Sequence, residues 1–253
     1  HIFTTKGPPS PSRTYVFTGS LCDGGPEGVE LLQLVLAYKA ALPGSVHLLR
    51  GRRDDALMNL VPGTKGGGFY AEVVDKCGAR AFPLFQALFL ELPLAAVAGG
   101  KVLVIHGGLS RLEPTVRRLG TVSRQAAVRG VPEGADATII ADSLWAHPGD
   151  RTRIGGARGQ HVYDFGPEKT VAYLRQNKLA LILRSHQLPR DGRGYALAHG
   201  SRVLTVFSAA QHAGVGNNFG AAVTLREGGG TVWEFAAPSK RSLLKQREGW
   251  HMP

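Results

Sequence analysis

The stretch "LLRGRRDD", residues 48–55, decides how this chain is read. A hydrophobic run beginning at Ser45 gives way at Gly51 to two arginines and two aspartates, Arg52 to Asp55. Rigid strands present their loops for chemistry, so a strand end is where an α/β enzyme keeps its site. Here two guanidinium groups stand where an acid or a metal ligand is expected. Outward from this point, strands and helices alternate. "TYVFTG" (14–19) has the apolar density of a buried strand, and 26–42 has the period of a helix that returns the chain to the strand at 45–51. A helix over 82–93 leads into strand residues 95–108, broken by a turn at Gly99-Gly100. Strands follow at 179–186 and 195–208, then a hairpin over 221–235. Strands alternating with helices, then a strand-rich tail, indicate a layered α/β domain.

The 253 residues, 43% of them hydrophobic, suffice for one large core. No run of eighteen apolar residues exists, which argues against a membrane span. Cys22 and Cys77 are widely spaced, as in a reduced, intracellular protein of the mitochondrion or cytoplasm. "GTKGGG" (63–68) lacks the spacing of a nucleotide-binding phosphate loop and reads as an ordinary connection. The net charge is +11, and arginine supplies 21 of the 30 basic residues. The planar guanidinium fork suits phosphates and carboxylates. Two basic stretches stand out. Residues 110–130 carry five arginines, including Arg117, Arg118, Arg124 and Arg129, against one glutamate, and 239–251 carries Lys240, Arg241, Lys245 and Arg247. The second reads as a C-terminal arm over 239–253.

Taken in order, the strand ends carry "TGSLCDGG", "LLRGRRDD", "VIHGGLS", "LRSHQL" and "FSAAQHAG". This series resembles the phosphoprotein phosphatase family of serine/threonine phosphatases, whose motifs read GDxVDRG, LLRGNHE, HGG, R-[AS]-HQ and FSAPNY. "ELLQLVLAYK", "GFYAEVVDKCG" and "DSLWAHP" are similar to that family too. The resemblance implies a metallophosphatase-like α/β sandwich of two mixed β-sheets flanked by helices, filling 1–238. The family's first motif, GDxHG, is expected upstream of residue 1. The resemblance also implies two divalent cations that clamp a phosphate and generate hydroxide.

Matched position by position, the site is overwritten. The carboxylate that bridges both metals falls at Ser20. The next Asp is kept at Asp23, but the phosphate-binding arginine after it is Gly24. The metal-ligating Asn falls at Arg52, the general-acid His at Arg53, and the motif's Glu at Asp54. His106 and His186 match metal ligands, Arg158 matches a phosphate-binding arginine, and the substrate-side tyrosine falls at His212. A guanidinium about 4 Å from a dication costs roughly 8 kcal/mol at an effective dielectric of about 20, and arginine cannot shed its proton. An inward arginine therefore excludes metal.

The resulting expectation is an inactive phosphatase-like protein without cofactor, a structural subunit among the proteins of a large assembly. An RNA-rich assembly such as an organellar ribosome suits the charge, and an acidic protein surface such as a microtubule suits it as well. Arg52, Arg53, Arg158 and Arg184 are candidates for an anion pocket that replaces the metals. The rival readings are a divergent metal-dependent phosphatase using His106 and His186, and a phosphate- or phosphopeptide-binding module in the emptied pocket.

Overall fold

The structure, a computed structural model, describes residues 1–22, 25–61, 68–125, 132–155, 162–212, 217–237 and 244–251. The chain divides into two compact units, His1–Pro93 and Leu94–Pro253.

The first unit is built on a strand–helix–strand crossover. After a short helix α1 (Ile2–Lys6), β1 (Tyr15–Phe17) pairs in parallel with β2 (Val46–Leu48), and α2 (Gly28–Ala41) makes the return. Parallel neighbours need such a crossover because a tight turn cannot reverse the chain twice. Val29, Leu32 and Val35 recur at helical spacing on one side of α2 and are buried. They share a core with Val46, Leu48, Phe69, Val73 and Phe89. The helix stops at Leu42, before Pro43-Gly44. Next come α3 (Ala56–Leu60), α4 (Phe69–Cys77) and α5 (Phe82–Glu91). Asp55 caps α3, accepting from the amides of Leu57 and Met58. Periodicity predicted α2 and α5 but not α1, α3 or α4. Residues 62–67 of the glycine-rich connection lie outside the described residues.

The second unit contains, in chain order, β3 (Ala95–Ala98), β4 (Val102–Ile105), α6 (Val116–Gly120), α7 (Gly134–Trp145), β5 (His147–Pro148), β6 (Arg153–Gly155) and β7 (Val162–Phe165). It continues with α8 (Pro167–Gln176), β8 (Leu181–Arg184), β9 (Tyr195–Ala198), β10 (Val203–Val206), β11 (Gly220–Arg226), β12 (Gly229–Phe235) and β13 (Leu244–His251). A five-stranded sheet runs β3-β4-β8-β10-β9, its three inner strands parallel and its two outer ones antiparallel. Every residue of β4, β8 and β10 is buried, so these strands read as largely apolar runs, with Arg184 and Thr205 the polar exceptions. β5-β7-β6 and β11-β12-β13 form two further sheets.

One expectation changes here. The single strand over 195–208 is a hairpin, because His199, Gly200 and Ser201 all take left-handed φ (53°, 62° and 64°) and reverse the chain between β9 and β10. Within the stretch expected as a C-terminal arm, Leu244–His251 runs antiparallel to β12 as the third strand of its sheet.

Candidate functional site

Each unit carries part of the constellation foreseen from sequence. In the first, the loops after β1 and β2 are laced together. Gly19 (φ 90°) and Ser20 (φ 56°) are left-handed, and a Cβ on Gly19 would fall 2.3 Å from the Gly51 nitrogen. Only glycine permits that approach. Asp54 lies beneath, its side chain buried, with Oδ2 accepting from the amides of Ser20 (2.9 Å) and Gly51 (2.7 Å). Burial pushes its carboxyl up to about 6, against the opposing pull of those two amides. The Ser20 hydroxyl accepts from the Arg53 amide at 3.1 Å. Asn59 Nδ2 donates to the Arg53 carbonyl at 2.6 Å. Arg50 is buried, with Nε donating to the Asp54 carbonyl at 3.2 Å. Arg52 and Arg53 are partly buried. Asp23 and Gly24 lie outside the described residues.

In the second unit, His106 follows β4 and His186 follows β8, at the carboxyl ends of neighbouring parallel strands. Their ring centroids are 5.3 Å apart. His186 is left-handed (φ 71°), an uncommon conformation for a residue with a Cβ. Two positions matched to metal ligands, Ser20 and His186, thus keep strained backbone. A third histidine, which the sequence reading did not single out, joins them: His147 in β5 stacks on His186 at 5.1 Å. Its Nδ1 lies 3.7 Å from Asp164, a carboxylate also held by Arg153 Nε at 2.5 Å. No spacing rule links residue 147 to 106 and 186; only the pairing of β5 with β7 brings it near Asp164.

Arg184 departs from expectation. Its side chain is wholly buried and donates to Gly107 O (2.5 Å), Ala146 O (3.3 Å) and Gln187 Oε1 (2.8 Å). Loss of solvent lowers its pKa to about 9. It braces the loops that carry His106 and His147 and is not part of an anion pocket. Arg158 lies outside the described residues. The His212 ring packs edge-on against Phe207 at 5.1 Å.

Among the basic stretches, Arg118 is paired with Asp136, and Arg111 grips the buried Asp142 through two nitrogens. Arg117 is exposed and Arg124 partly so. Lys245 and Arg247 belong to β13, while Arg129, Lys240 and Arg241 lie outside the described residues.

A dinuclear centre needs a bridging carboxylate and a set of neutral or anionic donors. Ser20 does not fit the bridging role. Ser20 supplies a hydroxyl already accepting a backbone N–H, and among the described residues no three His, Cys, Asp or Glu side chains are arranged to hold a metal ion.

Comparison with known proteins fits this inherited scaffold. The family model for calcineurin-like phosphoesterases matches residues 5–190. Serine/threonine-protein phosphatase 5 of Rattus norvegicus is 35% identical over 210 residues, covering 83% of this chain and 40% of that protein. Serine/threonine-protein phosphatase T of Trypanosoma brucei brucei is 31% identical over 229 residues, covering 90% of this chain and 46% of that protein. The chain thus spans less than half the length of these relatives. A solved serine/threonine phosphatase from Saccharomyces cerevisiae, described as similar to human phosphatase PP5, superposes with a TM-score of 0.77 at 29% identity, covering 100% of this chain and 76% of that one. With the motif order, the mixed α/β architecture and these matches in agreement, the chain belongs to the calcineurin-like phosphoesterase family, and its relatives are serine/threonine phosphatases of the phosphoprotein phosphatase group.

Proposed function

We propose that this chain is a phosphatase-like protein without phosphatase activity, serving as a structural subunit of a larger, RNA-rich assembly such as an organellar ribosome. The observation that carries the first part is Ser20. At the position matched to the bridging carboxylate, a neutral hydroxyl is tied to the Arg53 amide, and the Ser20 amide is tied to Asp54. A hydroxyl cannot offset the repulsion of two adjacent dications, and Arg52 and Arg53 add positive charge nearby. The assembly reading rests on the +11 net charge, carried mainly by arginine. It places the protein in the mitochondrion or cytoplasm.

The test is hydrolysis of aryl phosphate and phosphopeptide with added manganese, alongside elemental analysis of the purified protein. The reading expects no turnover and less than one equivalent of manganese, iron or zinc. Two equivalents of metal, or turnover lost in the His106→Ala/His186→Ala variant, would establish the divergent phosphatase instead. That second reading is favoured by one observation, the juxtaposition of the His106 and His186 rings at 5.3 Å.

A further inference from the structure

Three segments that are distant in sequence meet at the amino ends of the inner strands of the five-stranded sheet. They are "AAVAGGKVL" (95–103), "LRQNKLALI" (174–182) and "ALAHGSRVL" (196–204). Together they contain Lys101, Arg175, Lys178 and Arg202, and no aspartate or glutamate. Backbone bonds fix their juxtaposition. Ala180 N donates to Lys101 O at 2.8 Å, Ile182 N to Arg202 O at 2.9 Å, and Lys178 N to Arg175 O at 3.2 Å. Lys101 and Arg202 flank β8, two strand spacings or about 10 Å apart, and Lys178 sits in the turn leading into the same strand. Lys101, Arg175 and Lys178 are exposed, and Arg202 is partly so. None of the four has a carboxylate partner among the described residues. Arg111, Arg118, Arg153 and Lys169, by contrast, are all paired.

The carboxyl end of α8 attracts cations through its dipole, which accounts for Arg175 and Lys178. It does not account for Lys101 or Arg202, which belong to other segments. Four cations without an ion-pair partner at one sheet end outnumber Asp150 and Glu168, the two carboxylates that act on His199 of the β9–β10 turn, and attract a polyanion. The surrounding turn residues decide which kind. At the turn tips, Gly99, Gly100, Gly200 and Ser201 offer no large apolar side chain to insert into a bilayer; His199 is bonded to Gly149 and Thr170, and the exposed Val97 and Leu197 lie within β3 and β9. The exposed Gln176 and Ser201 instead supply the neutral donors that accompany phosphodiester contacts.

We propose that this end of the sheet, opposite the strand ends that carry His106 and His186, is a contact surface for the phosphate backbone of RNA. The proposal rests on the RNA-rich assembly reading, names a surface for it, and is independent of whether the phosphatase-like site is active.

The experiment measures binding of the full chain to a labelled 20-nucleotide single-stranded RNA by fluorescence anisotropy from 50 to 200 mM KCl. The Lys101→Gln/Arg175→Gln/Lys178→Gln/Arg202→Gln variant removes four contacts. The slope of log affinity against log salt should become shallower by roughly 3, so the variant loses about fiftyfold less affinity than the wild type across that range. The Lys101→Arg/Lys178→Arg variant, which keeps the charge, should retain the wild-type slope. Far-ultraviolet circular dichroism verifies that each variant is folded. An unchanged slope in a folded Gln variant overturns the proposal while leaving the assembly reading intact. Absence of RNA binding by the wild type overturns both. Binding to phosphatidylserine vesicles or polyglutamate, but not RNA, assigns the surface to lipid or acidic protein and overturns the proposal as well.

Discussion

At the scale of single residues, Asp54 shows how a site motif persists for structure. The resemblance matches it to the last residue of a catalytic motif, yet it is buried and its oxygens hold two loops together. Replacing it with alanine strands two buried amide donors, at about 1–3 kcal/mol each. Urea unfolding of Asp54→Ala should therefore show a loss of roughly 2–6 kcal/mol. Asparagine can place its carbonyl where Oδ2 lies and should be far milder. The pH dependence has a definite sign. Burial raises the folded-state pKa from 3.8 to about 6, so ionising Asp54 costs stability. Its contribution is complete below the unfolded value near pH 4 and is lost as pH rises through about 6. The difference in stability between wild type and Asp54→Asn should move in that direction across this window. A flat difference would show that the two amides compensate the burial fully.

At the scale of elements, the β9–β10 turn and the last strand are the instructive cases. His199 sits in the turn at φ 53°, with Nε2 2.9 Å from Gly149 O and Nδ1 2.7 Å from the Thr170 hydroxyl. With Nε2 donating to the carbonyl, Nδ1 accepts from Thr170, so the ring is neutral. Burial lowers its pKa, and the hydrogen bond to Gly149 only partly opposes this. A depressed histidine contributes stability above the unfolded value near pH 6.5, and that contribution declines as pH falls below it. His199→Gln should flatten the fall in melting temperature between about pH 6.5 and 5, as read by calorimetry. The last strand makes a different prediction. β13 pairs with β12 from Gly229↔His251 to Phe235↔Leu244, with a register shift between Thr231 and Trp233. Removing residues 244–253 leaves β12 with an unpaired edge. Hydrogen exchange should then lose protection in β12 while β4 and β8 keep theirs. A loosened five-stranded sheet would contradict this account.

At the scale of the whole molecule, charge sets the expected behaviour toward partners. The five-arginine stretch is less available than its composition suggests, because Arg111 and Arg118 are held by Asp142 and Asp136. Association with RNA should nonetheless fall steeply with salt, by roughly a thousandfold between 50 and 200 mM if six or more phosphates are contacted. Equilibrium binding at several salt concentrations checks this, and a salt-insensitive complex would point to an apolar protein interface. Arg52→Gln/Arg53→Gln should leave RNA affinity within about threefold, since neither residue belongs to the sheet-end surface.

Much of the fold was legible because burial on both faces forces largely apolar runs. "VLVI" and "LILR" are β4 and β8, and both fall inside the stretches 95–108 and 179–186 where strands were expected. Motif order, without any coordinates, was enough to match Ser20, Arg52 and Arg53 to positions of the family's motifs. Side-chain partnership was not legible. Arg184 reads like Arg52 as a cation near a strand end, but one is wholly buried against carbonyls and the other only partly buried. His147, Lys101 and Arg202 are separated by tens of residues from the groups they meet. Local patterning encodes which face of a strand is apolar, but neighbours across a parallel sheet are set by strand order. Only the β3-β4-β8-β10-β9 arrangement brings Lys101, Lys178 and Arg202 to one edge.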